Sequence, residues 1–132
     1  MATRREDHGQ STVEFALILP LVVAMALFIV QAGFVVRDQL LVSHAAREAA
    51  RAASVSDDDR SGAALRAARN AGDLDSDRVE ASVSMRDGNE LIEAVVSYRS
   101  VTDIAIIGSL LPDIDLEASV VMRVESGGKH GP

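Results

Sequence analysis

The rhythm of apolar and polar residues changes several times along this chain. Residues 15–36 are almost continuously apolar, interrupted only by Gln31 and by the neutral residues Pro20 and Gly33. From residue 38 the pattern becomes that of a strong helix former, carried by Ala45, Ala46, Ala49, Ala50, Ala52 and Ala53. Glu48 and Arg51 stand at a spacing that allows an ion pair. One helix over residues 12–53 is predicted, roughly 60 Å long by rise per residue. Its alanines permit close approach of another element. Residues 54–59 break it. Asp57, Asp58 and Asp59 lack the alternating ligands, glycine and closing glutamate of a calcium loop, and read as a solvated turn that caps the next helix. That helix is predicted over 60–71, apolar mainly through alanine, and ends at Gly72 as its C-cap.

From Arg78 the period falls to two. Val79, Ala81, Val83 and Met85 alternate with Glu80, Ser82, Ser84 and Arg86, the signature of a half-buried strand. Asp87-Gly88-Asn89 is a strong turn signal, and residues 91–101 complete a hairpin. Residues 102–112 are apolar but contain Gly108 and end at Pro112, which fits either a short helix or a hydrophobic loop over the sheet. Residues 114–125 alternate again as a third strand, through Ile114, Leu116, Ala118 and Val120, with Val121, Met122 and Val124 blurring its end. The fold class is α+β: a long N-terminal helix, a short helix and an antiparallel sheet of about three strands. Such a sheet is barely stable alone. The first helix, past its apolar run, or the second helix must cover one face.

The run at 15–36 spans about 33 Å as a helix, enough for a hydrocarbon core of about 30 Å. Core helices of soluble proteins seldom run so long without a polar face. A cleaved secretory signal has a shorter apolar core followed by a small-residue cleavage site, whereas here Arg37 and Asp38 follow directly. The reading is a retained transmembrane helix. Arg4 and Arg5 hold the N-terminus in the cytoplasm, and Arg37 at the far end keeps the bias modest. Pro20 removes one helix hydrogen bond and introduces a kink, tolerated within a membrane.

Composition narrows the chemistry. The formal net charge is −7 with a pI near 4.8, which argues against a nucleic-acid partner. The chain has no cysteine, so disulfides, thiolate metal sites and a cysteine nucleophile are excluded. Ser43 and His44 are adjacent, and neighbours on a helix point about 100° apart, so they form no nucleophile–base pair. His8 and His130 lie near opposite ends of the chain. Asp113 and Asp115 share one side of a strand and read as solvated acids. No metal, cofactor or catalytic function is expected.

Glu14 is the exception to this bland chemistry. An ionised group within a membrane segment costs about 2.5–3.5 kcal/mol at mid-depth and less near an interface. Glu14 either snorkels to the interface or meets a cation. Cleavage after Gly9 would supply one, because the new α-amino group on Gln10 would lie one helical turn away. A carboxylate there is also favoured by the helix dipole.

A basic leader segment, Gly9, a glutamate five positions on, Phe15 and an apolar helix resemble the leader of type IV pilin-like proteins. More narrowly, Gly9-Gln10-Ser11-Thr12-Val13-Glu14-Phe15-Ala16-Leu17, the Pro20-containing run and Ala45-Ala46-Arg47-Glu48-Ala49-Ala50-Arg51 are similar to the TadE family, pilin-like proteins of the tight-adherence (Flp) pilus systems. The resemblance implies cleavage between Gly9 and Gln10 by a separate prepilin peptidase, with Glu14 as the fifth residue of the mature chain guiding assembly beside Phe15. It implies a substrate and structural subunit rather than an enzyme. Partners would be the membrane, the peptidase, and other pilin or pseudopilin subunits with their assembly machinery. The added α+β domain favours a minor pilin or pseudopilin over a shaft subunit. The expected organisation is a leader over 1–9, a transmembrane helix over 10–36, an extracytoplasmic domain over 37–125 and a flexible tail over 126–132. The alternatives are an uncleaved single-pass protein whose outer domain is a binding module, and an accessory subunit that regulates another membrane protein through Glu14.

Overall fold

The computed structural model describes residues 7–101 and 113–124, with side chains from Ser11 onward. The leader before Asp7, the apolar segment 102–112 and the glycine-rich tail lie outside the described residues. The architecture is α+β, as the sequence predicts. A long helix, α1 (Asp7–Val55), is followed by α2 (Arg60–Asn70) and by three strands, β1 (Val79–Arg86), β2 (Leu91–Ser100) and β3 (Ile114–Arg123). The chain divides into two compact units, one up to Phe34 and one from Val35 onward.

The first unit is helical from Asp7. Residues 17–23 are all exposed, and at 100° per residue such a run leaves no side of the helix covered. Leu17 is 74% exposed and Leu21 is 71% exposed, on a stretch long and apolar enough to cross a membrane. The helix starts earlier than the predicted residue 12. Gly9 costs a helix interior only about 1 kcal/mol, too little to stop it. Pro20 lies inside α1.

In the second unit, Val42, Ala45, Ala46, Ala49, Ala50 and Ala53 of α1 are fully buried. Their three- and four-residue spacing puts them on one face. Ala64 and Ala68 of α2 join the same core. Alanine on both helices keeps side-chain bulk small, so the volume is filled from the sheet by Val79, Ile92, Val96, Tyr98 and Leu116. Glu48 and Arg51 form no ion pair among those within 4.0 Å. The Arg51 carbonyl instead accepts the Ser54 hydroxyl at 2.8 Å. An exposed pair at that spacing is worth only tenths of a kcal/mol and is easily forgone.

The turn before α2 is capped as expected. Asp59 is the N-cap, and its Oδ1 accepts the Gly62 N–H at 2.9 Å. Asp59→Ala is expected to lower the stability of this unit by about 1 kcal/mol. Fluorescence of Tyr98, the only tyrosine in a chain without tryptophan, follows that unfolding directly. The C-terminus of α2 differs from the expectation. The helix ends at Asn70, and Ala71 is the C-cap, with its N–H turned back to the Ala68 carbonyl at 3.3 Å. Gly72 lies one residue beyond and has no positive φ. A Cβ at Gly72 would stand 3.3 Å from Leu41 Cδ2, so the leucine side chain would have to give by a few tenths of an ångström to admit one.

The sheet is an antiparallel meander in the order β1-β2-β3. Asp87, Gly88 and Asn89 all take positive φ at the hairpin, the conformation that Gly, Asn and Asp tolerate best. The register sets Met85, Ile92 and Met122 in one row and Ala81, Val96 and Ala118 in another, on the helix-covered face. The blurred end of the third strand resolves by parity: Met122 faces in, and Val121 faces out at 48% exposed. Two polar contacts tie α1 to the sheet. Ser100 Oγ donates to Asp38 Oδ2 at 2.7 Å, and Gln39 Nε2 donates to the Glu117 carbonyl at 3.2 Å.

Candidate assembly site

Gly9, Gln10, Glu14, Phe15 and Pro20 all lie within α1. Gln10 and Glu14 are four residues apart, so their backbone positions share a helix face about 6 Å apart along the axis. Continuing that face by three, four and seven residues gives Leu17, Ile18 and Leu21, all exposed and apolar. Glu14 is exposed, as are Val13 and Phe15 beside it. Ser11, Thr12 and Glu14 each take part in an interaction. The arrangement is one acid heading an apolar stripe on a helix exposed on every side. In lipid, such an acid has a strong reason to seek a cation or the interface.

The second unit presents its own polar surface. Asp77, Arg78, Glu80, Ser97, Tyr98, Arg99 and Asp115 line a depression at one end of the sheet. Arg99 Nε donates to Asp115 Oδ1 at 3.0 Å. That hydrogen bond, and then the carboxylate charge, raises the Arg99 pKa above its ordinary value. A base with a raised folded pKa contributes fully below its unfolded value, so Arg99 brings no pH dependence near neutrality. Arg78 likewise meets Asp75 at 3.3 Å. Asp115 is thus engaged with an arginine, and Asp113 precedes β3.

Ser43 and His44 sit on α1, where the Ser43 hydroxyl donates to the Gln39 carbonyl at 2.8 Å. His44 is exposed. Among the described residues no group of three or more His, Asp and Glu side chains is placed to hold a metal. The Asp38–Ser100 and Gln39–Glu117 contacts were not legible in the sequence. Each joins residues more than sixty positions apart, and the only local sign was a polar pair just after the apolar run.

No curated protein matches this chain, and neither does any solved structure. A family model described as TadE-like protein matches residues 9–51. The matched segment contains Gly9, Glu14, Phe15, Pro20 and most of the buried alanine face of α1. TadE-like proteins are a structural rather than an enzymatic family, associated with the Tad pilus. Over residues 9–51 this chain is similar to the TadE-like family, in agreement with the resemblance of that segment.

Proposed function

We propose that the chain is a membrane-anchored TadE-like minor pilin or pseudopilin that takes part in assembly of a Flp/Tad-type pilus or a related secretion apparatus. One observation carries the reading: the family match coincides with a helix that is apolar and exposed on every side near its N-terminal acid. In this reading residues 1–9 are a leader, 10–36 cross the cytoplasmic membrane, 37–125 form the extracytoplasmic part and 126–132 a tail. Arg4 and Arg5 keep the N-terminus in the cytoplasm.

A prepilin peptidase hydrolyses the bond between Gly9 and Gln10. The new ammonium group on Gln10 begins the mature helix, and Glu14 becomes its fifth residue. Glu14 then stands near the positive end of the helix dipole. In an assembly, the ammonium of one subunit meets the carboxylate of its neighbour. Each charge relieves the cost of holding the other in a poorly solvating medium. Phe15 packs beside that contact, and Pro20 bends the helix above it.

The reading is tested by intact mass and N-terminal sequencing of chain extracted from membranes. The expected mature protein begins at Gln10. A chain that keeps Met1 or Ala2 in cells containing the peptidase contradicts it and favours an uncut, permanently anchored protein.

A further inference from the structure

The second unit begins at Val35 and so contains the last two residues of the apolar run, Val35 and Val36. Asp38 follows Val36 by two residues of α1, a rise of about 3 Å. The Ser100 hydroxyl donates to Asp38 Oδ2 at 2.7 Å, and Ser100 pairs with Ile114 across the ladder between β2 and β3. These two links hold one end of the sheet, where β2 stops and β3 starts, at the level where the apolar run stops. The opposite end, the hairpin at Asp87–Asn89, lies about 30 Å away along β2 by strand rise.

The two ends differ in what they expose. Among the described residues of the second unit, the exposed large apolar side chains are Val36, Leu40, Val55, Val101, Ile114 and Val121. Four of these, Val36, Leu40, Val101 and Ile114, lie within two residues of Asp38 or at the Ser100–Ile114 pair. Ile114 decides the reading. By parity it shares the helix-covered face with Leu116, Ala118, Val120 and Met122, all buried or half-buried, yet it is 39% exposed. At the hairpin end Asp87, Gly88, Asn89 and Glu90 are exposed and polar. Residues 102–112, outside the described residues, connect the two strand ends, and their sequence has Asp103 as its one charge. A strongly charged connection would argue against a lipid contact at this end. We propose that, while the chain is held in the membrane, the sheet end at Val101 and Ile114 docks on the lipid surface, its apolar side chains reaching the boundary between headgroups and acyl chains.

Chain length makes lipid the occupant. The Asp38–Ser100 bond keeps Val101 and Ile114 within reach of the point where the apolar run ends, at any tilt of the second unit against the membrane. Tethering through α1 makes the contact intramolecular, so a few modest side chains suffice. The arginines near this end are already paired: Arg37 with Asp38 at 3.4 Å and Asp73 at 3.6 Å, and Arg99 with Asp115 at 3.0 Å. Apolar contact therefore carries the docking, rather than attraction to anionic headgroups. Asp113, exposed beside Ile114, limits the depth to the headgroup region. This contact presupposes that residues 10–36 cross the membrane, and adds a second point of attachment to that anchor.

The test uses the full chain in vesicles of phosphatidylethanolamine with a minor share of phosphatidylglycerol. The chain has no cysteine, so a single nitroxide label can be placed by substitution. Labels are carried by Phe28→Cys in the anchor, Val101→Cys and Ile114→Cys at the proposed contact, and Glu90→Cys beside the hairpin. Collision with oxygen, which concentrates in lipid, is compared with collision with a nickel chelate, which stays in water. The labels at positions 101 and 114 are expected within roughly 5–10 Å of the headgroup boundary. The label at position 28 is expected deep in lipid, and that at position 90 in water. Tyr98 fluorescence checks that each labelled chain is folded. Adding Ile114→Asp to Val101→Cys is expected to shift the label at position 101 into water, because a second ionised group at this end opposes the contact. With position 28 in lipid, labels at 101 and 114 as open to the chelate as that at 90 overturn the docking and leave the anchor standing. Labels at 101 and 114 shielded from both reagents are covered by protein rather than lipid, which overturns it as well. A label at position 28 open to the chelate removes the anchor and the docking together.

Discussion

Ile92→Ala is expected to destabilise the second unit by about 2–4 kcal/mol. Ile92 is fully buried on the central strand, on the face covered by the helices. Its neighbours in the row are Met85 and Met122. Methionine is flexible and fills part of a void, which holds the cost below the upper end of the usual range. The helix side of the core offers little more. Apart from Val42 its fully buried residues are alanines, whose side chains have no rotamers with which to move inward. Domains of this size have little stability to spare, so a loss of this kind lowers the thermal midpoint by more than about 10 °C. Tyr98 fluorescence reads the transition without interference from the anchor, which contains no tyrosine or tryptophan. A midpoint within a few degrees of the unaltered chain would mean that the sheet and helices do not share the core described above.

Glu14→Ala is expected to leave the chain in the membrane and remove it from the assembly. The substitution deletes the one acid at the head of an exposed apolar helix, so insertion itself becomes easier. What is lost is the carboxylate that would meet the α-amino group of a neighbouring subunit. Immunoblots of membrane and sheared surface fractions, with the mature N-terminus confirmed as Gln10, separate this effect from a failure of cleavage. The expected result is a normal membrane signal and a surface signal reduced by tenfold or more, the scale of a lost charge pair in a poorly solvating site. Normal incorporation of the variant would remove Glu14 from any pairing role. Glu14→Asp keeps the charge on a shorter arm and should recover part of the signal.

Much of the fold was legible because its signals are local. The apolar run needs only composition to be read, and the strands announce themselves by a period of two. Asp87-Gly88-Asn89 marks the hairpin because all three residues take positive φ. Asp59 reads as a cap because its side chain bonds a backbone N–H three residues away. The end of α2 was less legible. Gly72 looks like a left-handed cap from sequence, but Leu41 lies against it, a constraint from a distant part of the chain. The Glu48–Arg51 pair was similarly plausible by spacing and did not form, since so weak a contact yields to its surroundings.

The proposed site is a reading of sequence, and the structure places its residues within α1. Gly9, Glu14 and Phe15 are ordered along one helix, and their spacing does not depend on any fold beyond it. From sequence alone came the α+β class, the membrane-length helix, the TadE-like segment and the outlying acid. Only the tertiary structure decided which alanines of α1 are buried, how Asp38 and Gln39 tie the helix to the sheet, and that β2 is the central strand of the three among the described residues. Those facts depend on strand order and on contacts between residues far apart in the chain. A periodicity tells a strand that it has an inside and an outside, but it does not say which of its two edges will find a neighbour.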